Sequence, residues 1–390
     1  MIKRTITDSV VEAARHFPVV AVVGPRQSGK TTLTQQVFPD HKYVSLEDFD
    51  KRELANTDPR LFLAKHPSAA GLIIDEIQYA PQLLSYMQTI VDREKKKGFF
   101  ILTGSQNFLV NEAITQTLAG RIAILTLLPL SISELKAANL LPSSVESCVF
   151  RGFYPQIYAE QTSPELLYKN YTHTYIERDV REIKNVTDLN LFQRFLRLCA
   201  GRIGQIVNLT SLGNDCGINY NTVRAWLSVL EASYVIVQLQ PYFNNFGKRL
   251  IKSPKIYFID TGLACWLLNI TNEEELTQHY LRGGLVESFV VADLFKQYYN
   301  KDKQPRLYFW RDKTGHEIDC LIDKLPHPTA IEIKSGKTVR QDFFKEFSFW
   351  NEASSAPADT KNYVVYGGDE DQHWPQVTVL KWHNIDSLSE

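Results

Sequence analysis

The sequence has few cysteines, no long apolar run and almost no net charge. Its five cysteines lie far apart among 390 residues and form no C-x-x-C pair, so neither a disulfide framework nor a zinc site is indicated. No apolar run approaches the roughly 18 residues that a membrane-spanning helix needs. The 43 Lys and Arg residues against 44 Asp and Glu residues exclude a uniformly basic chromatin-type protein. These absences predict a cytoplasmic protein with reduced thiols, no membrane contact and only local contact with nucleic acid.

The length and the order of elements predict three domains in an α/β protein. A chain of 390 residues is too long for one ordinary domain. In its first third, apolar runs alternate with helical stretches, which is typical of βα units on a parallel sheet. The predicted divisions are a parallel-sheet domain over 1–140, a helical middle domain over 141–270 and a separate α/β domain over 271–390. The strands predicted for the first domain are 18–23, 43–46, 72–74, 99–102 and 122–127.

A phosphate-binding loop is predicted between the first strand and the helix that follows it. Residues 24–31 read GPRQSGKT and match G-x-x-x-x-G-K-[ST]. Glycines allow the backbone N–H groups of such a loop to wrap around phosphate oxygens. Lys30 is expected to neutralise the β- and γ-phosphates, and the Thr31 hydroxyl to bind Mg²⁺. The predicted cofactors are ATP and Mg²⁺, and the predicted nucleotide-binding residues are Gly24, Pro25, Arg26, Gln27, Ser28, Gly29, Lys30, Thr31 and Thr32.

Two carboxylates follow the predicted strand 72–74. Asp75 and Glu76 come at its carboxyl end, where ligands bind in open α/β sheets. We expect Asp75 to hold the Mg²⁺ shell, and Glu76 to orient and deprotonate the attacking water.

Further polar residues follow or precede the later strands of this domain. Thr103 and Ser105 come after strand 99–102 and either sense the γ-phosphate or the attacking water, or form a turn. Arg121 precedes the last strand and is either a solvated or salt-bridged arginine, or an arginine finger that reaches the nucleotide of a neighbouring subunit in a homo-oligomer.

These motifs resemble the uncharacterised bacterial and archaeal AAA+ superfamily ATPases, which join an N-terminal ATPase domain to a C-terminal domain of unknown function. The resemblance covers nearly the whole chain. It implies ATP hydrolysis on an AAA+ core, with Lys30, Thr31, Asp75 and Glu76 at the nucleotide-site positions and Arg121 at a family arginine. The stretches that carry it are 24–31, 43–48, 72–78, 102–105, 118–121, 128–134 and 252–262.

The middle region has the element order of a winged helix. A helix from residue 209, a turn near 217–220, a helix over 221–232 and a strand over 234–239 follow one another. Four cations and no acid lie between residues 232 and 259, which suits contacts with DNA phosphates. A solvated loop, contact with acids of the first domain or a protein-binding role remain alternatives. The predicted DNA-binding residues are Arg224, Lys248, Arg249, Lys252 and Lys255.

The last region resembles the PD-(D/E)xK nuclease fold, a restriction-endonuclease-like α/β domain. Asp319 lies in one predicted strand, and Glu332 and Lys334 share a face of the next because side chains alternate along a strand. Glu287 on the preceding helix completes the pattern. Two carboxylates suit a hard cation such as Mg²⁺, and the lysine suits activation of water. The alternatives are the charged edge of an ordinary hairpin and a nuclease-like fold kept for binding.

The leading hypothesis is Mg²⁺-dependent ATP hydrolysis coupled to DNA binding, with DNA cleavage as a further candidate activity. The alternative is a nucleotide-dependent switch or scaffold that binds a protein partner and carries an inactive nuclease-like domain. A P-loop kinase is disfavoured, because an Asp-Glu pair suits water activation and no arginine-rich acceptor lid is evident.

Overall fold

The computed structural model of the chain describes residues 2–104, 117–174, 188–242, 253–324, 327–354, 357 and 360–389. Within these ranges every helix is too short or too polar to cross a lipid bilayer.

The first third of the chain forms a parallel sheet. Its strand order is β2-β3-β4-β1-β5, and each neighbouring pair is parallel. The β-branched residues of β1 are buried on both faces, as expected where helices cover both sides of a parallel sheet. The prediction of a parallel α/β sheet is confirmed. The strands are β1 (Val19–Val23), β2 (Lys42–Ser45), β3 (Leu72–Asp75), β4 (Phe100–Gly104) and β5 (Ile122–Thr126).

Helices on the two faces of this sheet enclose two apolar cores. Val19 and Ala21 pack in one core and Val20 and Val22 in the other, because successive side chains of a strand point to opposite faces. A short 3₁₀ turn, Ile77–Tyr79, follows β3. The helices are α1 (Thr7–His16), α2 (Lys30–Val37), α3 (Phe49–Thr57), α4 (Pro59–Lys65) and α5 (Leu83–Glu94).

The middle region is helical. Asn208 and Asn219 cap two consecutive helices by accepting backbone N–H bonds, and Gly217 ends the first of them at a φ of 81°. Phe192 and Phe195 pack edge-on against Trp226, with ring centroids 5.1 and 5.3 Å away. The helices are α6 (Ile132–Ala137), α7 (Val145–Arg151), α8 (Pro155–Ala159), α9 (Pro164–Thr174), α10 (Leu189–Ala200), α11 (Leu209–Cys216) and α12 (Tyr220–Ala232).

A second, mixed sheet runs from the middle region into the last third. Its order is β12-β13-β11-β10-β9-β8-β6-β7. Strand β6 is antiparallel to β7 and parallel to β8, with Gln240 opposite Tyr308. The sheet thus contains strands from both sides of residue 270, where the sequence predicted a domain boundary. That boundary stays a prediction. The strands are β6 (Ile236–Pro241), β7 (Lys255–Phe258), β8 (Leu307–Arg311), β9 (Glu317–Ile322), β10 (Thr329–Lys334), β11 (Asn362–Tyr366), β12 (Gln372–His373) and β13 (Val377–Lys381).

One long helix joins the two sheets. Helix α15 contacts β5 of the first sheet and both β7 and β10 of the second. Its Asp293 carboxylate accepts the backbone N–H of Ile132 at 2.8 Å. A continuous apolar core extends from Leu128 to Leu388. The remaining helices are α13 (Thr261–Leu267), α14 (Glu273–Gln278), α15 (Arg282–Asn300) and α16 (Lys345–Ser354), with 3₁₀ segments at Gln341–Phe344 and Trp382–Ser389.

Candidate functional site

The loop between β1 and α2 has the backbone geometry of an anion cradle. Gly24, Gln27 and Gly29 have φ angles of 150°, 59° and 93°, values that favour glycine at both ends of the loop. A Cβ atom on Gly24 would lie 2.1 Å from the Leu127 carbonyl oxygen, so this position also needs glycine for close packing. The loop leads into α2, whose N-terminus favours anions.

The Lys30 side chain folds back into this loop. Its ammonium donates to the carbonyl oxygens of Gly24 at 3.1 Å and Pro25 at 2.8 Å, and the residue is only 5% exposed. Within the same loop the Ser28 hydroxyl is buried and has no hydrogen-bond partner among the described residues. The loop therefore holds a positive charge and a spare hydroxyl, which fits a polyphosphate ligand.

Asp75 lies at the end of β3 and accepts hydrogen bonds from three hydroxyl groups. Thr31 donates at 2.9 Å and Tyr43 at 2.8 Å, and Thr103 also donates to it. Burial, followed by the hydrogen bond to Asp75, raises the pKa of Tyr43 to about 12, so this hydroxyl remains a donor. A carboxylate held against the Thr31 hydroxyl is a donor set that fits a hard divalent cation such as Mg²⁺.

Glu76, the next residue, has a left-handed backbone with φ 59° and ψ 50°. This conformation costs a non-glycine residue on the order of 1 kcal/mol and is frequent at functional sites. The Gln78 amide donates to the Glu76 carboxylate. The strained backbone thus directs a carboxylate from the end of β3 into the cleft described next.

A cleft of about 740 Å³ opens beside the loop. Its lining includes Lys30, Thr31 and Glu76, together with Arg4 and residues of helix α8. The cleft is therefore built from three parts of the chain: the N-terminal segment, the first sheet and the middle region. Of the predicted nucleotide-binding residues, those that line it are Arg26, Gln27, Gly29, Lys30, Thr31 and Thr32.

Arg121 lies at the opposite edge of the sheet. Its carbonyl oxygen accepts the N–H of Val19, the first residue of β1, whereas the phosphate loop follows the last residue of that strand. The guanidinium donates to Asp92 at 2.6 and 3.0 Å on the surface. Arg121 is thus remote from the cleft of its own chain. Ser105 lies outside the described residues.

Lys255, which we predicted to contact DNA, is instead buried in β7. It is 2% exposed, and its ammonium lies 2.8 Å from Glu287 and 2.5 Å from Glu317, with Asp319 at 4.0 Å. Burial lowers the pKa of Lys255, but Glu287, Asp319 and Glu317 outweigh burial and hold it above the usual range. The prediction of a DNA contact needs correction here, because the strand register turns this side chain inward.

Asp319, Glu332 and Lys334 meet beside Lys255. The Lys334 ammonium contacts Glu332 and lies 3.8 Å from Asp319, which also accepts the N–H of Ile333 at 2.8 Å. Burial outweighs Lys255 and raises the pKa of Glu287 to about 7, while burial and then Asp319 raise the pKa of Glu332 to about 8. We call this group the carboxylate–lysine cluster; its members are Lys255, Glu287, Glu317, Asp319, Glu332 and Lys334.

The cluster does not match the metal site that the sequence predicted. Among the described residues, no three Asp, Glu, His or Cys side chains are arranged so that they could hold a metal ion. The ammonium groups of Lys255 and Lys334 instead form ion pairs with Glu287, Glu317 and Glu332. The predicted residues are therefore close together, but their mutual contacts are ion pairs.

The other predicted DNA-binding residues fall into two groups. Arg224 is exposed on α12, the second helix of the helix–turn–helix order. Lys248, Arg249 and Lys252 lie outside the described residues.

Tyr43, Arg4 and Glu317 were not among the predicted site residues. Tyr43 and Arg4 reach partners that are remote along the chain, such as Asp75 and Glu134, so no local signal could identify them. Glu317 had a signal, since it lies two residues before Asp319 and so shares a face of the strand.

Comparison with known proteins divides the chain into three matched regions. The family model described as an AAA domain matches residues 16–136. Two models described as domains of unknown function, DUF8612 and DUF4143, match residues 143–274 and 282–385.

Similar proteins occur in several organisms. The Uncharacterized protein Rv2008c of Mycobacterium tuberculosis is 30% identical over 332 residues, which are 84% of this chain and 72% of that protein. An uncharacterized protein of Haemophilus influenzae is 24% identical over 277 residues, 63% of this chain and 68% of that protein. Among solved structures, the Walker-type ATPase PABY2304 of Pyrococcus abyssi is 18% identical, covers 68% of this chain and 96% of its own, and has a TM-score of 0.46.

The raised pKa of Glu332 predicts a pH-dependent stability. Since the folded pKa of about 8 exceeds the ordinary value of 4.5, the contribution of Glu332 is fully present below pH 4.5 and is lost as the pH rises through 8. Glu332→Gln removes this dependence. Relative to wild type, its free energy of unfolding should rise from pH 5 to pH 9, on the order of 1.4 kcal/mol per unit of raised pKa. Urea unfolding at several pH values measures this.

The exposed Glu352→Gln serves as the control and should follow the wild-type pH profile. A constant difference between Glu332→Gln and wild type across this pH range would contradict the assignment of a raised pKa.

Proposed function

The chain belongs to the same family as the Uncharacterized protein Rv2008c and carries an AAA domain over residues 16–136, and from this premise we propose that it couples Mg²⁺-dependent ATP hydrolysis to DNA binding. The observation that carries the proposal is the contact between Thr31 and Asp75 beside the Lys30 loop. It joins the phosphate loop to the strand end that bears Glu76.

In the proposed mechanism, Lys30 neutralises the β- and γ-phosphates, because its flexible side chain can turn from the loop carbonyls towards them. Thr31 and Asp75 would hold Mg²⁺, which would offset negative charge on the phosphate oxygens. Glu76 orients the attacking water and accepts its proton. Tyr43 and Thr103 keep the Asp75 carboxylate in one orientation.

Two substitutions test these roles. Glu76→Gln should retain nucleotide binding but lower the hydrolysis rate by about 10²- to 10⁴-fold, because the base is lost. Lys30→Ala should weaken ATP binding as well. Phosphate release and ATP binding by calorimetry measure the two effects.

The exposed Glu12→Gln is the matched control and should hydrolyse ATP like wild type. Hydrolysis at the wild-type rate in both Lys30→Ala and Glu76→Gln would show that the site is elsewhere.

The proposed DNA-binding element is a winged helix formed by α11, α12, β6 and β7. Helices α11 and α12 follow one another in contact, and β6 pairs with β7 as an antiparallel hairpin. The exposed Arg224 on α12 supports a groove contact. Lys248, Arg249 and Lys252 belong to the segment between the two strands, where the absence of acids favours phosphate contacts.

Charge reversal tests this surface. The triple variant Lys248→Glu, Arg249→Glu, Lys252→Glu should weaken DNA binding and reduce the slope of log K against log salt by about 2.7, if each cation neutralises one phosphate. Fluorescence anisotropy over a salt series measures the slope.

The control variant reverses Lys95, Lys96 and Lys97, three exposed cations after α5, and changes the net charge equally. Equal weakening in both triple variants, or no DNA binding by wild type, would contradict the proposal.

The ion pairs of Lys255 and Lys334 support a binding role for the last third rather than DNA cleavage. They also favour the second candidate function, a nucleotide-dependent scaffold for a protein partner with an inactive nuclease-like domain. In either case an arginine finger requires a neighbouring subunit, because Arg121 is remote from its own cleft.

We expect no Asp319-dependent cleavage of linear, circular or branched DNA in Mg²⁺ or Mn²⁺. The reason is that the carboxylates of Glu287 and Glu332 are paired with the ammonium groups of Lys255 and Lys334. Gel analysis of wild type, Asp319→Ala and the control Asp323→Ala measures this. Products made by wild type and Asp323→Ala but lost in Asp319→Ala would establish a nuclease.

A further inference from the structure

Arg4 is nearly buried beside the phosphate loop, although arginine is rarely buried without partners. Its guanidinium donates to the carbonyl oxygens of Ser28 and Leu128, both at 2.7 Å, and to the Glu134 carboxylate at 3.1 Å. One side chain thus ties the phosphate loop to the segment that follows β5.

The partner carboxylate is itself fixed in place. Glu134 is 2% exposed, and its oxygens also accept the backbone N–H groups of Thr5 at 2.7 Å and Ser131 at 3.0 Å. The bond from Ser131 is half of the capping box that begins α6. Since Glu134 cannot easily move, it is a firm anchor for the guanidinium.

The contact with Ser28 controls the orientation of one peptide unit. The peptide between Ser28 and Gly29 is planar, and in the trans form its C=O and N–H point in opposite directions. By holding the Ser28 carbonyl oxygen, Arg4 directs the Gly29 N–H away from the guanidinium. Gly29 adopts a φ of 93°, which glycine reaches easily because it has no side chain. The residue itself therefore does not fix the orientation of this peptide.

We propose that Arg4 is a positioning residue for ATP binding, which holds the Ser28–Gly29 peptide so that its N–H faces the nucleotide phosphates. The inference rests on the proposed use of this loop as the phosphate site. The planar guanidinium group of Arg4 suits this role, because its N–H groups donate in different directions to oxygens of Ser28, Leu128 and Glu134. A lysine could preserve the charge opposite Glu134 but not these three directed bonds.

Three variants separate positioning from folding. Arg4→Met alone leaves a buried carboxylate without its cation and is expected to destabilise the protein. Arg4→Met with Glu134→Gln removes both charges and keeps an amide at the cap. Arg4→Lys keeps the charge. The exposed Arg15→Met, which disrupts a surface ion pair with Glu12, is the control.

We expect the double variant and Arg4→Lys to unfold near the wild-type urea midpoint. Both should bind ATP about 10- to 100-fold more weakly, because the hydrogen bond from the Gly29 N–H to the charged phosphates is misdirected. KM for ATP should rise by more than kcat falls, and Arg15→Met should match wild type. Isothermal titration with a non-hydrolysable ATP analogue and steady-state kinetics measure these effects.

Wild-type affinity and KM in a folded double variant would overturn the proposal. The premise has a separate check in Lys30→Ala. If that variant binds the analogue as tightly as wild type, the loop is not the phosphate site and the proposed function fails, whatever the Arg4 variants show.

Discussion

The parallel direction of the strands in the first sheet is the constraint on which the nucleotide cleft depends. Strands β1, β3 and β4 all end at one edge, so the phosphate loop, Asp75 and Thr103 meet there although they are remote along the chain. Three hydroxyl groups then fix the Asp75 carboxylate. The opposite edge receives the starts of the strands, which is why Arg121 lies far from this cleft.

Charged groups that fold into the interior must find opposite charges or directed hydrogen bonds there, since burial of an unpaired charge is costly. Lys30 contacts carbonyl oxygens of its own loop, Arg4 pairs with Glu134, and Lys255 pairs with Glu287 and Glu317. In the cluster around Lys255, two ammonium groups lie beside four carboxyl groups, and burial together with Asp319 raises the pKa of Glu287 and Glu332. The same residue types in water would have suited a phosphate surface or a metal site.

The three matched regions are physically connected. Strands β6 and β8 belong to one sheet, and helix α15 contacts strands of both sheets. Asp293 on α15 binds the backbone N–H of Ile132, two residues before the Glu134 that anchors Arg4. Helix α15 also carries Glu287 of the carboxylate–lysine cluster. A continuous set of contacts therefore runs from the phosphate loop to that cluster.

The sequence by itself determined the features that depend on local pattern. The β-branched run before GPRQSGKT identified β1 and its loop, strand periodicity placed Glu332 and Lys334 on one face, and the Asp75-Glu76 pair followed from its position after an apolar strand. Tertiary structure decided which side chains meet. Pairing of β2 with β3 brings Tyr43 to Asp75. The Lys255 side chain points into the interior, because it lies on the face of β7 that contacts Glu287 of helix α15. Such contacts join residues tens of positions apart, so no local pattern encodes them. The pKa values of these groups depend on burial and on neighbouring charges, which residue type alone does not determine.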